Sequence, residues 1–229
     1  MKIRLIEKRR EAADDTTSFI FFPAGRLTWR AGQFLHYVLP HDRADERLED
    51  RYFTIASAPF ETNVRLTTRF ANGTGSSFKH ALLDLPFGAA IEAGEPDGDF
   101  VIDDPAAESV FIAGGIGITP FRAILMDLDH RGIDIHATLL YSNRNSDVLF
   151  KRQLDGLAAK HPHFTIQYVI SPAHLDHEAL EPVVRAAPKA MFYVSGPEPM
   201  VDAVGKALGA LGVAGERIKQ DLFPGYPAD

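Results

Sequence analysis

Cysteine is absent from the 229-residue chain, and this absence excludes several kinds of chemistry. Without thiols the chain forms no disulfide, no thiolate nucleophile and no zinc–cysteine site. A cysteine-ligated iron–sulfur cluster on this chain is excluded as well. The nine histidines are scattered without HxxxH or HExxH spacing, so we expect no metal site.

Long apolar runs are missing too. No stretch approaches the length of a membrane span, and the first twelve residues are charged throughout, unlike a secretory leader. The expected location is therefore the cytoplasm. Acidic residues outnumber basic ones by 31 to 24, for a formal net charge of -7, and phosphate repulsion argues against a nucleic-acid partner. The oligomeric state is left open.

The first half of the chain, residues 1–105, consists of short strand-forming runs between Gly, Pro and Asp clusters. This pattern predicts a small antiparallel β-barrel with one covering helix at 77–83, closed by residues 90–102. A charged stretch at 42–50 is interpreted as a solvated loop, and Asp103, Asp104 and Pro105 as a joint to a second domain. The predicted strands are residues 3–7, 18–22, 33–39, 51–56 and 64–70.

The second half, residues 106–229, alternates strands with helices, which predicts an α/β domain with a parallel sheet and right-handed crossovers. Ligands gather outside the carboxyl ends of the strands in such a sheet. Segments 114–119, 142–145 and 195–199 should therefore meet at one crevice. The predicted strands are 110–113, 135–141, 164–170 and 191–194, and the predicted helices are 120–130, 148–160, one near 177–184, and 199–211.

A glycine cluster follows the first strand of this second half. Gly114, Gly115 and Gly117 allow a sharp turn and leave room for a ligand against bare main chain. Thr119 suits the N-cap and Pro120 the first position of the next helix. The N–H groups and positive dipole end at this helix start would suit a pyrophosphate. The alternative is a tight strand-to-helix turn that binds nothing.

The first half carries a second candidate site around Arg51. Arg51 and Phe53 share one face of a predicted strand, roughly 7 Å apart, which suits a ligand with an anionic end and a flat ring. Some twenty residues later, a Gly/Ser loop at 72–77 precedes a helix and offers N–H groups and hydroxyls to a phosphate. The alternative is an ordinary strand and a helix capped by Ser76.

Together these segments resemble the ferredoxin–NADP reductase superfamily, whose members bind flavin on a barrel and nicotinamide on an α/β domain. Four ordered motifs carry the resemblance. The flavin signature Arg-x-Tyr-[Ser/Thr]-x-x-Ser matches Arg51, Phe53, Thr54 and Ser57, and the glycine–serine loop matches residues 73–77. The dinucleotide motif Gly-x-Gly-x-x-Pro matches Gly115, Gly117 and Pro120, and the Cys-Gly-Pro-x-x-Met segment matches Ser195, Gly196, Pro197 and Met200. Phe53 and Ser195 depart from the usual Tyr and Cys.

For the flavin, the resemblance implies a phosphate or pyrophosphate held by Arg51 and an isoalloxazine ring stacked on Phe53. Thr54 would place a hydroxyl near flavin N5. Ser76 and Ser77, with the helix start, would hold the pyrophosphate of FAD, which is favoured over FMN. The expected flavin-binding set also includes Tyr52, Gly73 and Gly75.

For the nicotinamide nucleotide, the resemblance implies a pyrophosphate held by Gly115, Gly117 and Thr119, with Ser195 beside the nicotinamide. Ser142 and Arg144 could bind a 2′-phosphate, which favours NADP slightly over NAD. Phe223 and Tyr226 would lie by the flavin ring, and a tail packed on the core is the alternative. The residues expected to take part in catalysis are Thr54, Ser195, Phe223 and Tyr226.

The activity implied is that of a flavin-dependent NAD(P)H oxidoreductase. Hydride would pass from nicotinamide to FAD, and electrons would go on to a separate acceptor such as ferredoxin, flavodoxin or an oxygenase component. Two alternatives stay open. One is a reductase of free flavin, ferric complexes or another small acceptor, and the other is a flavin-holding electron-transfer subunit of a larger complex.

Overall fold

The computed structural model describes residues 1–11, 15–42, 45, 48–70 and 76–223. Its first sheet has six antiparallel strands in the spatial order β4-β3-β6-β1-β2-β5. These strands are β1 (Lys2–Arg10), β2 (Thr16–Pro23), β3 (Phe34–Val38), β4 (Asp50–Thr54), β5 (Val64–Arg69) and β6 (Ala90–Ala93), and helix α1 (Ser77–Asp84) lies between β5 and β6.

Alternation decides which face of the first sheet is buried. In β1, Ile3 and Leu5 are buried while Lys2 and Arg4 are exposed, as expected of a strand with one solvated face. Strands β4 and β5 form the two edges, and just beyond β4 the Ala56 N–H donates to the Arg65 carbonyl at 2.8 Å. This bond joins the edges and curls the sheet into a barrel.

The second sheet has five parallel strands in the order β11-β10-β7-β8-β9. Its strands are β7 (Ser109–Gly114), β8 (Ala137–Asn143), β9 (Phe164–Ile170), β10 (Met191–Pro197) and β11 (Ile218–Phe223). Its helices are α2 (Ile118–His130), α3 (Lys151–Lys160), α4 (His177–Ala186) and α5 (Glu198–Ala210). The predicted fold class, an antiparallel barrel followed by an α/β domain, is confirmed.

Strand β7 shows why this sheet has helices on both faces. Val110 and Ile112 enter one apolar cluster, Phe111 and Ala113 enter the other, and all four are buried. A parallel strand buried on both faces has this continuous apolar sequence. The apolar run at 110–113 therefore predicted a strand, and the structure confirms it as the central strand of the sheet.

The start of α2 differs from the prediction. The helix begins at Ile118 with Gly117 as its N-cap, and the Thr119 hydroxyl donates to the Ile116 carbonyl at 3.1 Å. The predictions of a Thr119 cap and of Pro120 in the first helical position are therefore wrong. Pro120 is tolerated at the third position because the first four N–H groups of a helix have no intrahelical acceptor.

The two halves pack against each other through the segment that follows β6. The Phe100 ring lies 5.5 Å from that of Phe121 and 5.6 Å from that of Tyr193. Lys219 of β11 donates to the Asp103 carboxylate at 2.7 Å and to two carbonyls of the same segment. We keep the boundary at residue 105 as a proposal. Within the described ranges, no helix is both long and apolar enough to cross a membrane.

Candidate functional site

The carboxyl ends of β7, β8 and β10 lie side by side at one edge of the parallel sheet. Gly114 pairs with Ser142 on one side, and Ala113 pairs with Ser195 on the other. The predicted meeting of the three turn segments is therefore confirmed. Arg144 follows β8 on the exposed rim of this crevice, and Ser142 is half-buried.

The glycine turn after β7 is packed tightly against β10 and α5. A Cβ atom on Gly117 would lie 2.1 Å from the Ser195 carbonyl oxygen, and one on Gly114 would lie 2.1 Å from the Met200 sulfur. These two glycines are thus required by close packing within the protein. Gly115 adopts a left-handed φ of 51° and faces the Arg69 guanidinium of the barrel.

The segment at the end of β10 forms one packed unit with this turn. A Cβ on Gly196 would lie 3.2 Å from the Met200 sulfur and 3.3 Å from the Gly114 backbone. Pro197 ends β10 and is the N-cap of α5. The matched segments at 114–120 and 195–200 therefore support each other directly.

Ser195 faces a carboxylate that the sequence did not point to. Its side chain is fully buried, and its hydroxyl donates to the Asp221 carboxylate at 3.2 Å because β10 and β11 pair in parallel with these two residues opposite. Burial raises the pKa of Asp221 to about 6. Phe223, two residues further, ends β11 opposite Pro197 and is half-buried, whereas Tyr226 lies outside the described residues.

Strand β4 places its side chains on two faces, as alternation predicts. The Arg51 guanidinium lies 5.7 Å from the Phe78 ring centroid, and the Phe53 ring lies 5.8 Å from the same ring. Tyr52 is on the opposite face, 66% exposed, where it stacks on His36 at 4.6 Å. The side chain of Tyr52 is therefore separated from those of Arg51 and Phe53.

The end of β4 is held by hydrogen bonds within the barrel. Thr54 is buried at the last position of the strand, opposite Phe34. The Ser57 hydroxyl accepts from the Arg65 N–H at 3.0 Å, and the Ser57 carbonyl accepts from the Trp29 indole at 3.1 Å. In this structure the Ser57 hydroxyl contributes to barrel closure.

Arg51 and the start of α1 together hold an anion. Arg51 donates to one oxygen of the Asp45 carboxylate at 2.5 Å, and the Ser77 N–H donates to the other at 3.1 Å. The Ser77 hydroxyl in turn accepts from the Asp45 N–H at 2.9 Å. Ser76 is the N-cap of α1, accepting from the Lys79 N–H at 3.4 Å. We refer to Arg51, Ser77 and the Ser76 cap as the anion cradle.

The donors of the anion cradle fit a phosphate. A guanidinium and a helix-start amide converge on one carboxylate, and both groups bind phosphate oxygens equally well. Next to them the Tyr37 hydroxyl is fully buried beside Phe53, and within the described part of the chain it has no hydrogen-bond partner. An aromatic ring, an orphaned hydroxyl and an anion cradle together suit a flavin nucleotide. Gly73 and Gly75 lie outside the described residues, and the described residues contain no cluster of three potential metal ligands.

Comparisons with known proteins agree with this geometry. The sequence profile of the oxidoreductase NAD-binding domain matches residues 111–206. The reductase component DmpP of phenol 2-monooxygenase from Pseudomonas sp. (strain CF600) is 31% identical over 212 residues, covering 86% of this chain and 57% of that protein. The ferredoxin reductase component of 3-ketosteroid-9-alpha-monooxygenase from Mycolicibacterium smegmatis is 31% identical over 242 residues, covering 96% of this chain and 64% of that protein. The chain thus spans about three fifths of the length of these relatives.

Solved structures show the same architecture. The Amycolatopsis cytochrome P450 reductase GcoB superposes with a TM-score of 0.80 at 25% identity, covering 97% of this chain and 70% of that one. The flavohem-like FAD/NAD binding domain of nitric oxide dioxygenase from Vibrio cholerae gives a TM-score of 0.79 at 22% identity and covers 97% and 98% of the two chains, which shows a shared fold. Fold and matched profile define a two-domain oxidoreductase module with an NAD-binding domain. The chain belongs to the ferredoxin–NADP reductase superfamily.

Proposed function

We propose that this chain is a FAD-dependent NAD(P)H oxidoreductase that passes electrons to a separate redox protein. Bound FAD would supply the redox chemistry, because its ring takes up two electrons with a hydride and releases them one at a time. The observation that carries the proposal is the anion cradle, in which Arg51 and the Ser77 amide already hold a carboxylate, while Arg51 and Phe53 both contact the Phe78 ring.

On the flavin side, each residue has a role that its position supports. Arg51 and the start of α1 would bind the pyrophosphate, with Ser76 and Ser77 contributing hydroxyls. Phe53 would support the ring, and Thr54 at the end of β4 would donate a hydrogen bond to its edge. We infer FAD over FMN from the family resemblance of the glycine–serine loop.

On the nicotinamide side, the crevice at the sheet edge would bind the nucleotide. Gly115 and the start of α2 would face its pyrophosphate, because N–H groups at a helix start favour anions. The buried Ser195 and its partly buried partner Asp221 would lie by the nicotinamide. Ser142 and Arg144 would receive a 2′-phosphate and favour NADPH.

The acceptor is inferred from the relatives. Two of them are named as reductase components of monooxygenases, which supports an oxygenase component or a similar redox protein as the partner. The 229 residues contain no cysteine, so no cysteine-ligated cluster within them would receive electrons from the flavin. Encounters of this kind use small, transient interfaces. We keep the cytoplasm as the proposed location.

Anaerobic titration of the purified protein with NADPH and with NADH tests the proposal. We expect a yellow protein whose flavin absorbance is bleached by one or both nucleotides. The Arg51→Gln variant should lose flavin on gel filtration, whereas Arg4→Gln, which removes an exposed charge on β1, should retain it. A protein that stays colourless after incubation with excess FAD or FMN would contradict the proposal.

Acceptor assays separate the remaining alternatives. A protein acceptor should saturate the reduced enzyme and show a rate that falls with ionic strength, because exposed charges steer the encounter. Turnover with free flavin or ferric complexes alone, without this salt dependence, would instead identify a reductase of small acceptors. Full flavin occupancy without reduction by either nucleotide would identify a flavin-holding subunit.

A further inference from the structure

Arg122 is a buried arginine that joins the two halves of the molecule, and no sequence pattern indicates this role. It lies on α2, and its side chain is 2% exposed. Its guanidinium donates to the Ala56 carbonyl at 2.6 Å and to both oxygens of the Glu61 carboxylate at 2.8 and 2.9 Å. A further bond reaches the Gln153 side chain at 3.1 Å.

The position of these contacts is what matters for function. Arg122 is three residues beyond Thr119, on the helix that begins at the glycine turn of the nicotinamide crevice. Ala56 is two residues beyond Thr54, at the end of the strand that carries Arg51 and Phe53. A single side chain therefore connects the two elements that would hold the two cofactors.

Glu61 makes this connection rigid. It ends a short 3-10 turn between β4 and β5, and its carboxylate also accepts from the Ala58 N–H at 2.7 Å. Burial alone would raise the pKa of Glu61, but the hydrogen bonds and charge of Arg122 outweigh it and lower that pKa below its usual value. The carboxylate therefore stays ionised, and its bidentate geometry orients the guanidinium.

The surroundings of the pair also restrict it. The Arg122 guanidinium lies 5.2 Å from the Phe150 ring centroid, and the Arg65 guanidinium of β5 lies 5.9 Å from the same ring. Burial, with the charge of Arg122, lowers the pKa of Arg65 to about 10. Two cations, one ring and one carboxylate thus form a packed cluster drawn from both halves.

We propose that Arg122 and Glu61 are a positioning pair that sets the spacing between the flavin-binding strand and the nicotinamide-binding helix. The inference rests on the proposed function, because spacing matters for hydride transfer only if both cofactors bind. A misplacement of about 1 Å caused far from the reacting atoms can lower a rate by roughly a hundredfold. Loss of the pair should therefore lower the hydride-transfer rate and leave the affinity for each cofactor nearly unchanged.

The test uses Arg122→Lys, with Glu61→Gln as a second variant. Lysine keeps the charge opposite Glu61, but a single ammonium cannot span Ala56, Glu61 and Gln153 together. In stopped-flow reduction at saturating nucleotide, we expect the rate constant to fall by roughly tenfold or more. The dissociation constants for flavin and nucleotide should stay near their wild-type values in both variants.

Lys219→Gln is the matched control. Lys219 also joins the two halves through three hydrogen bonds, to Asp103 and two carbonyls, but these bonds reach neither β4 nor α2. Its removal should leave the hydride-transfer rate unchanged. If Lys219→Gln lowers the rate as much as Arg122→Lys does, general loosening of the interface explains the effect and the inference is wrong.

A second readout needs no cofactor. Because the chain has no native cysteine, spin labels can be placed on Glu92→Cys in β6 and Ala159→Cys in α3, both exposed. Pulsed electron paramagnetic resonance should show a wider distance distribution in Arg122→Lys than in the wild type. An unchanged distribution, or a wider one with an unchanged rate, would overturn the inference. A wild-type protein that binds no flavin would instead refute the proposed function. The distance measurement would still test the role of Arg122, because it does not depend on a bound cofactor.

Discussion

Replacing Asp45 by Ala should tighten flavin binding, because the carboxylate occupies donors that the proposed ligand needs. Arg51 and the Ser77 amide each donate to Asp45, so a phosphate can bind only after that carboxylate leaves. The apparent dissociation constant equals the intrinsic one divided by the fraction of open cradle. Removing the competing carboxylate raises that fraction.

The size of the effect follows from the exposure of the pair. Hydrogen bonds to charged groups contribute about 1.5–3 kcal/mol each where water is excluded. The Arg51 side chain is 10% exposed and that of Asp45 is 31% exposed, so solvent screening reduces this amount. The Asp45 carboxylate should therefore oppose flavin binding by about 1–2 kcal/mol. Its removal in Asp45→Ala should lower the dissociation constant for FAD roughly five- to thirtyfold.

Calorimetric titration of flavin-free protein with FAD measures this change directly. Asp50→Ala is the matched control, because it also removes one negative charge next to Arg51 in sequence, while its carboxylate pairs with His36 outside the anion cradle. The control should bind FAD as the wild type does. An Asp45→Ala protein that binds FAD no more tightly than Asp50→Ala would refute the reasoning.

Three further predictions follow from other parts of the site. Asp221 has a pKa raised by burial to about 6, so the folded state holds a proton that the unfolded state has released above about pH 4. The free energy of unfolding of the wild type should therefore fall by about 2 kcal/mol relative to Asp221→Asn as pH rises from about 4 to 6. A difference between the two melting curves that is independent of pH would contradict this. Gly117→Ala places a methyl group 2.1 Å from the Ser195 carbonyl oxygen and should cost about 1–3 kcal/mol in urea unfolding. Gly156→Ala on α3, where no described atom lies within 4 Å, should stabilise the protein by about 0.5–1 kcal/mol, and equal effects of the two changes would exclude the steric explanation. Arg144→Ala should raise the KM for NADPH and leave that for NADH unchanged in steady-state assays, and an equal rise for both would remove the basis for an NADPH preference.

Local pattern predicted most of the framework correctly. Strand β9 was predicted at 164–170, where the structure has it, because apolar and polar residues alternate there between clear turn signals. The start of α2 was placed two residues late because Thr and Pro are strong signals for a helix start. Tertiary packing of the glycine turn against Ser195 allowed the helix to begin earlier.

Contacts between residues far apart in the chain could not be predicted from the sequence. Strand β11 was not among the predicted strands because Ile218 and Leu222 are separated by polar residues, and only pairing with β10 shows it to be a strand. The same pairing explains why Asp221 was missed. Arg122 and Glu61 are 61 residues apart, and neither belongs to a recognised motif. Asp45 was assigned to a solvated loop because nothing in its neighbours indicates a bond to Arg51.

The tight packing between the glycine turn and β10 also limits how coenzyme choice could be engineered. Gly114 and Gly117 leave no space for a Cβ beside Met200 and the Ser195 carbonyl, so a library that varies the glycine turn alone or the end of β10 alone will contain mostly destabilised members. Arg144 and Asn145 follow the neighbouring strand β8, and both are exposed. Randomising only these residues should change the nucleotide preference while the glycine turn stays packed against β10.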